Sequence, residues 1–453
     1  MKNSKIEQLD TSDINKYKIL FYMLGLVILV LYHMRFNLGY GDVVDTYGNV
    51  LKRGSEYFPE DGNVFEAIFN FTRFHYLEWS SRSVIEIVLI IVGHMPTICW
   101  HVLDILMVLL IGYCLDKLTH IKNQKIKYLS IFTFLMMYQV STMCSAGWIA
   151  TTINYSWVVA TGLYVVLNIQ RIRLGQKISA GSYIMALLAA LFAMNHEQMN
   201  GLMLLCISGI FFYDIRRKEF KKLLLPFYII NIVEFILIYT CPGNASRRHT
   251  ETISYYPIYE GYSFLHKVYE GICSMLTGLF HANGMAVITI TVLALLIYLS
   301  FLNNQTVIVK IISIIVFAYS ILKRISAKIV VIENNIFFKD YRTSIPATIL
   351  GCLILVGILA VCCFNIKKIS ECIGVVWVLS AAAATKVILG FSVAFLVSGE
   401  RTTIYMTFVV IMLALYLIQK YEDTLVILKK NWFCFGICLT NLMLFAWNYY
   451  YLC

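Results

Sequence analysis

Long apolar runs recur along the entire chain, and they restrict its fold more than any other feature of the sequence. The clearest runs are residues 19–31, 84–92, 285–301, 347–364 and 404–418. A helix of about 20 apolar residues crosses the hydrocarbon core of a bilayer. Only 14% of the 453 residues are charged, whereas soluble domains average about 25%. The sequence therefore predicts an all-α integral membrane protein with about 11–13 transmembrane helices.

The distribution of basic residues predicts which loops face the cytoplasm. Lys and Arg collect in short loops between the apolar runs, at 117–127, 171–173 and 216–218. Cytoplasmic loops carry such an excess of basic residues, so these loops are expected in the cytoplasm. The first apolar run follows a polar start and is not followed by a small-residue cleavage site, which predicts a retained helix and a cytoplasmic N-terminus. This topology accounts for the net charge of +11, and no nucleic-acid partner is predicted.

Two longer polar segments interrupt the single polytopic domain expected for residues 1–453. Residues 39–81 form the first predicted extracytoplasmic segment, and residues 241–284 form a second that is extracytoplasmic or re-entrant. The route of the chain through 262–345 has two solutions, because 264–281 either stays at one surface or spans the bilayer. The first solution is preferred since it keeps 367–368 in the cytoplasm, although it leaves three basic residues of 323–328 outside. The outer loops are expected to carry short interfacial helices.

Polar residues are costly at membrane depth, and their clustering is the best functional indicator in a membrane protein. In this chain they cluster in the segments expected outside. The candidate substrate-binding residues are Trp79, Arg82, Thr152, Asn154, Tyr155, His196, Glu197, Asn244, Arg247, Arg248 and Arg401. The candidate catalytic residues are Asp42 and Asp45.

Each of these residue types has a chemical reason to be there and a simpler alternative. A surface carboxylate such as Asp42 can accept a proton from a sugar hydroxyl, and its simpler role is that of a solvated loop residue or helix cap. One arginine can bind two phosphate oxygens at once. Alternatively, its aliphatic part packs against apolar surface while the guanidinium group reaches the membrane interface. His196 lies in an apolar stretch where a packing role is also open. Aromatic residues such as Trp79 and Tyr155 stack on sugars, but they also populate membrane interfaces.

Metal and cofactor sites are not identified by a motif. The thirteen cysteines are scattered through apolar segments without the spacing of a metal site, so they are interpreted as packing residues. The only candidate cofactor is a divalent cation, Mg²⁺ or Mn²⁺, because a carboxylate can hold such an ion against a phosphate leaving group. Its ligands are not assigned.

Five stretches of the chain carry a family resemblance. They are 76–82 (YLEWSSR), 146–157 (AGWIATTINYSW), 195–197 (NHE), 242–248 (PGNASRR) and 398–402 (SGERT). In these stretches the chain resembles the bacterial polytopic proteins of the DUF6056 type, which are similar to GT-C class membrane glycosyltransferases that modify surface polysaccharides. The chain departs from the pattern at 156–158, where Leu-Trp-Pro is expected, and at 390–393, which lacks a proline-threonine pair. Both departures bear on the substrate.

The resemblance implies an inverting glycosyltransferase of the bacterial cytoplasmic membrane with an extracytoplasmic active site. Its expected donor is a polyprenyl-phosphate-linked sugar, its acceptor is a cell-surface glycan, and a separate donor synthase and flippase are the expected partners besides the lipid bilayer. An acidic residue of the first outer loop is the implied base, which corresponds here to Asp42 or Asp45.

Two other functions fit the same composition. A transporter or flippase of lipid-linked saccharide also needs arginines and aromatic residues, but it tends to show repeated halves with broken helices near the midplane, and the sequence has no internal repeat. A polysaccharide polymerase uses the same kind of donor and differs in transferring a whole chain.

Overall fold

The computed structural model describes residues 2–38, 46–326, 335–395 and 398–452. Every regular element in these ranges is helical. Ten helices are long and apolar enough to cross a membrane, and two shorter apolar helices, Ser83–His94 and Ala180–Met194, accompany them. These helices confirm the prediction of an all-α, multi-pass membrane protein. Asp42 and Asp45 lie outside the described residues.

Nineteen helices are numbered here in chain order. They are α1 (Lys2–His33), α2 (Gly48–Val50), α3 (Val64–Glu78), α4 (Ser83–His94), α5 (Thr97–Leu118), α6 (Gln124–Met137), α7 (Trp148–Thr151), α8 (Trp157–Arg173), α9 (Ala180–Met194), α10 (Glu197–Arg217), α11 (Leu225–Thr240), α12 (Gly243–Tyr255), α13 (Phe264–Phe280), α14 (Asn283–Leu302), α15 (Val307–Ser326), α16 (Ile345–Ile366), α17 (Ile369–Val387), α18 (Ile404–Lys420) and α19 (Asn431–Tyr450). Short 3₁₀ segments connect several of them, and a π-helical segment, Thr152–Ser156, joins α7 to α8.

The chain forms two compact units. Unit 1 comprises Met1–His196, Phe220–Thr240 and Leu415–Cys453, and unit 2 comprises Glu197–Glu219 and Cys241–Ala414. Each unit is described separately below.

In unit 1, proline divides an apolar stretch that the sequence predicts to cross the membrane as one passage over 83–113. Helix α4 ends at His94, and α5 begins at Thr97. Between them Met95 has extended backbone, with φ −76° and ψ 158°. Proline has no N–H to donate and disfavours helical backbone in the residue before it. Pro96 therefore separates a short helix from the longer α5.

The π-helical segment lies where α7 continues into α8. Gly147 precedes α7 with φ +84°, a left-handed backbone conformation that glycine adopts without steric cost. Single π-helical turns within α-helices are frequent at functional sites. Three of the predicted site residues, Thr152, Asn154 and Tyr155, lie in this turn.

At one end of unit 1, named here the basic end, the loop after α5 meets the loop after α18. The backbone N–H of His120 donates to Gln419 Oε1 at 2.9 Å, and the N–H of Lys122 donates to Glu422 Oε2 at 2.8 Å. Lys125 Nζ lies 3.2 Å from Asn431 Oδ1. The basic loops after α5 and α18 therefore meet at one end, as the positive-inside rule leads one to expect of loops on one side of a membrane.

Helix α13 in unit 2 lies across one end of that unit. Near its start, Tyr259 donates to the carbonyl oxygen of Gly390 at 2.7 Å. Just after its end, the N–H of Asn283 donates to Glu400 Oε2 at 3.0 Å. Both contacts are with the connection between α17 and α18. The 17 residues of α13 therefore begin and end at the same end of the unit, which favours the surface or re-entrant alternative over a spanning helix.

Candidate functional site

The predicted site residues are divided between the units. Unit 1 contains Trp79, Arg82, Thr152, Asn154, Tyr155 and His196, and unit 2 contains Glu197, Asn244, Arg247, Arg248 and Arg401. The two sets are therefore described in turn.

Arg82 and Asn154 come together in unit 1 although they are far apart in the sequence. Arg82 precedes α4, and its Nη1 donates to Asn154 Oδ1 at 3.0 Å. The Asn154 amide in turn donates to the carbonyl oxygen of Ala150 at 2.9 Å. The π-helical turn thus orients Asn154, and Asn154 positions the guanidinium group.

Asn195 holds the start of α4. Its Oδ1 accepts the backbone N–H groups of Val84 and Ile85 at 3.0 and 3.2 Å, which are among the N–H groups that a helix leaves without internal partners. Its amide donates to Glu234 Oε2 at 2.9 Å and to the carbonyl oxygen of Ser81 at 3.4 Å. Asn195 therefore fixes the backbone immediately beside Arg82.

The remaining predicted residues of unit 1 contact aromatic side chains or are exposed. The ring of His196 meets the ring of Tyr155 edge to face at 5.1 Å between centroids. Thr152 Oγ1 accepts a hydrogen bond from Trp100 Nε1 at 3.1 Å. Trp79 ends α3, and 41% of its surface is exposed. Within this set, Arg82 and Asn154 form a hydrogen-bonded pair.

A second polar cluster in unit 1, the His33 cluster, consists of His33, His101 and Asp104. The Nδ1 atoms of His33 and His101 are 2.8 Å apart, and His33 Nε2 lies 3.2 Å from Asp104 Oδ2. Asp104 Oδ1 also accepts a hydrogen bond from Trp157 Nε1 at 2.7 Å. His33 and Asp104 are buried, and the His33–His101 pair is partly buried.

The geometry of the His33 cluster orders its protons. A charged Asp104 attracts the proton of His33 to Nε2, which leaves Nδ1 of that ring as an acceptor. His101 must then donate from its own Nδ1. The other ring nitrogen of His101, Nε2, is then left as an acceptor, so the cluster can accept a hydrogen bond from a hydroxyl group.

A buried carboxylate also lies near the first polar segment. Glu86 on α4 is 3% exposed, and its Oε1 lies 3.2 Å from His75 Nδ1 on α3. Its other oxygen has no hydrogen-bond partner within the described part of the chain. The ring of Tyr47, two residues beyond Asp45, lies 6.1 Å from the His75 ring.

An apolar groove runs along unit 1 between α1, α6 and α19, with a volume of about 440 Å³. Its walls are formed by Tyr17, Leu20, Phe21, Leu24, Val27, Ile28, Leu31, Lys125, Tyr128, Leu129, Phe132, Cys434, Cys438, Asn441, Leu442 and Phe445. It extends from Lys125 at the basic end to Leu31, two residues before His33. Just beyond, the guanidinium carbon of Arg35 lies 5.0 Å from the centre of the Tyr449 ring.

In unit 2, two of the predicted arginines lie on α12. Arg247 Nε is 3.5 Å from Glu251 Oε1, one helical turn away. The positive charge of Arg248 acts on Tyr259, whose pKa is nevertheless raised to about 12, chiefly by burial. Asn244 occupies the first turn of the same helix. This helix therefore presents a polar, basic surface before α13.

The predicted segment around Arg401 is held by two neighbouring helices of unit 2. Gln198 Nε2 on α10, next to the predicted Glu197, donates to the carbonyl oxygens of Thr385 and Thr402, at 3.2 Å in each case. The Nζ of Lys386, which is buried, also contacts Thr402 Oγ1. The 3₁₀ turn Gly399–Thr403 is thus fixed to α10 and α17.

A further ionic group of unit 2 was not predicted from the sequence. Glu270 on α13 is buried, and its Oε2 lies 3.1 Å from Arg342 Nε. His266 Nε2, one turn earlier, is 3.7 Å from the other oxygen of Glu270. Arg342 is separated from Glu270 by 72 positions, so only tertiary packing reveals the pair.

The pH dependence of stability is expected to include a contribution from His281, between α13 and α14. Burial, with smaller effects from Lys323 and Arg324 that outweigh the opposing Asp340, lowers its pKa from 6.5 to about 4. Between pH 6.5 and 4, His281 is therefore protonated in the unfolded chain and neutral in the folded chain. Stability should fall by about 3 kcal/mol as the pH drops through this window. Thermal unfolding in detergent micelles at several pH values measures it.

His281→Gln should remove most of that acid-side loss, and His249→Gln, at an exposed histidine of the same unit, should leave it intact. An identical pH profile for wild type and His281→Gln would contradict the prediction.

The described residues form neither a metal site nor a disulfide. Among those residues no group of three His, Cys, Asp or Glu side chains is arranged to hold a metal ion, and no disulfide joins the described cysteines. The candidate Mg²⁺ or Mn²⁺ has no assigned ligands, so it stays a prediction.

Comparison with known proteins adds no relative. No family model, curated protein or solved structure matches the chain. The family resemblance therefore stays a prediction, and the case for a function depends on the chemistry of the residues described above.

Proposed function

We propose that the chain is an inverting glycosyltransferase that moves a sugar from a polyprenyl-phosphate-linked donor to a cell-surface glycan at the outer face of the bacterial cytoplasmic membrane. The observation that best supports the proposal is the apolar groove, which leads along α1 towards Arg35. A polyprenyl phosphate likewise has a long apolar chain with a charged phosphate at one end.

The fit between groove and donor is one of polarity and charge. An isoprenoid chain gains free energy by dispersion contacts with the aliphatic and aromatic walls between α1, α6 and α19. Its phosphate needs a cationic donor at the end of the groove, where Arg35 lies over the Tyr449 ring of α19. Arginine suits this role because its charge is permanent and its N–H groups match phosphate oxygens.

The transfer step can be written with these groups. The acceptor hydroxyl attacks the anomeric carbon, the bond from that carbon to the phosphate oxygen breaks, and the hydroxyl proton passes to Asp42 or Asp45. Negative charge grows on the departing polyprenyl phosphate, and preorganised cations stabilise it in the transition state. Arg35 is the group proposed for that task, whereas His101, through its Nε2, and Arg82, oriented by Asn154, are proposed to bind the donor or acceptor.

The unit 2 residues keep a separate role in this proposal. Arg247, Arg248 and Arg401 are basic and lie in the segments predicted to face outwards. Together with Asn244 and Glu197, they are proposed to bind an anionic or polyhydroxylated ligand on unit 2.

The glycan of the host cell provides the direct test. Deletion of the chain is expected to remove one side-branch sugar from the surface polysaccharide, because the proposed reaction adds a single residue. Mass spectrometry of the purified polysaccharide from deleted and wild-type cells measures the change. Complementation with Asp42→Asn should restore transfer at least about 100-fold less well than the wild-type chain if Asp42 is the base.

Glu56→Gln, in the same segment, is the matched control and should complement fully, provided that both variants reach the membrane in equal amounts. Loss of the whole polymer would favour a polymerase or flippase instead. A polysaccharide that is unchanged by the deletion would exclude all three functions.

A further inference from the structure

A polar cavity of about 500 Å³ lies at the basic end of unit 1, away from the groove's phosphate end. Its walls are formed by Tyr113, Asp116, Lys117, Thr119, His120, Lys127, Leu167, Gln170, Arg171, Leu174 and Gln176. These residues come from the last turns of α5 and α8 and from the start of α6 and its preceding loop. The cavity is named here the basic cavity.

The basic cavity has an excess of positive charge. Its single carboxylate, Asp116, is already neutralised by Lys127, whose Nζ lies 2.6 Å from Asp116 Oδ1, and both side chains are largely buried. Lys117 and Arg171 form no ion pair within the described part of the chain. His120 adds a third group that can carry a proton. A cavity of this kind is complementary to an anion rather than to a cation or a neutral sugar.

The lining also separates into a polar and an apolar part. Gln170, Gln176 and Thr119 supply neutral hydrogen-bonding groups beside the cations, whereas Leu167 and Leu174 are apolar. The cavity lies where α5 and α8, both candidate membrane spans, end. Basic pockets between transmembrane helices at the cytoplasmic side are suited to anionic phospholipid headgroups.

We propose that the basic cavity binds a phosphate group, and that its position at the helix ends makes an anionic phospholipid headgroup the source. The phosphate would contact Lys117 and Arg171, while Lys127 remains paired with Asp116 and keeps the wall in place. The leucines would face the glycerol and the first carbons of the acyl chains. This site is independent of the proposed transfer reaction and lies on different residues.

The proposal is tested on the full chain in detergent micelles by native mass spectrometry. The probes are dioleoylphosphatidylglycerol, dioleoylphosphatidylcholine as a zwitterionic lipid of equal chain length, and inorganic phosphate. The wild-type chain should retain phosphatidylglycerol in preference to phosphatidylcholine. The double variant Lys117→Gln/Arg171→Gln should bind phosphatidylglycerol at least about tenfold more weakly, since each lost cation removes an electrostatic contribution.

A matched pair keeps the result independent of net charge and folding. Lys122→Gln/Lys177→Gln removes the same charge at exposed positions outside the cavity and should retain wild-type binding, as should the charge-preserving Lys117→Arg/Arg171→Lys. Equal weakening in the outer pair, or no weakening in the cavity pair, would overturn the site. If inorganic phosphate displaces the lipid, the phosphate group itself is the recognised chemistry. If inorganic phosphate binds and phosphatidylglycerol does not, the lipid source is wrong.

Discussion

Replacement of Gly271 by alanine is expected to destabilise unit 2 by about 3 kcal/mol, because the site has no room for a methyl group. A Cβ at this position would lie 2.0 Å from the carbonyl oxygen of Val387. The obstacle is backbone, which cannot turn away as a side chain would. Gly390 faces the same contact, and its Cβ would lie 2.1 Å from the carbonyl oxygen of Lys267. These two glycines allow α13 to touch the chain that leaves α17.

The matched control for this prediction is Gly374→Ala on α17. No heavy atom lies within 4 Å of a Cβ built there, so this variant should be neutral or slightly stabilising, as alanine favours helix by about 1 kcal/mol over glycine. Thermal unfolding of the three proteins in the same detergent compares them. Equal melting temperatures for Gly271→Ala and Gly374→Ala would show that the close backbone contact is not formed.

This contact holds α13 across one end of unit 2. The same experiment therefore also tests the route of the chain through 262–345. The sequence left two routes open for 262–345, since a 17-residue helix with several polar residues is ambiguous by hydropathy. Hydropathy cannot detect two glycines from different segments whose backbones meet. Sequence patterns therefore do not record the packing that favours the surface or re-entrant route.

The helices themselves were predictable, for a physical reason. Backbone polar groups have no partners in hydrocarbon, so a long apolar run must become a helix. The run 285–301 lies inside α14, and 347–364 lies inside α16. Interruptions were predicted less well. The break at Pro96 falls inside a stretch interpreted as one passage, although proline is itself a signal for such a break.

The candidate site was predictable in part. Arg82 and Asn154 were selected separately as outward-facing polar residues, and they form a hydrogen bond in unit 1. His33, His101 and Asp104 were not selected, although ionisable residues inside apolar helices are a recognised functional signal. Their mutual contacts were not predictable, because His33 and Asp104 lie on helices whose packing partners the sequence does not state. The hydrogen bond between Asn195 and Glu234 was not predictable for the same reason.

Asp104→Asn is expected to reduce sugar transfer by about 100-fold or more if the His33 cluster binds a substrate hydroxyl through His101. The amide oxygen can still accept the Trp157 hydrogen bond, which places the amide –NH₂ opposite His33 Nε2. That group donates where the carboxylate accepts, so the opposite tautomer of His33 is favoured and His101 Nε2 is no longer held as an acceptor. Transfer should be measured in membrane vesicles with the donor whose sugar the glycan comparison identifies.

Thermal unfolding in detergent distinguishes this role from a purely structural one. Asp104→Asn should lose transfer while keeping a melting temperature close to that of the wild type, because the Trp157 hydrogen bond is retained. His101→Gln should also lower transfer, and His94→Gln, at the exposed end of α4, should match the wild type. Wild-type transfer by Asp104→Asn would exclude the cluster from the reaction, whereas absence of transfer by the wild-type chain itself would refute the proposed function. The two failures are thereby separable, since the first leaves transfer intact.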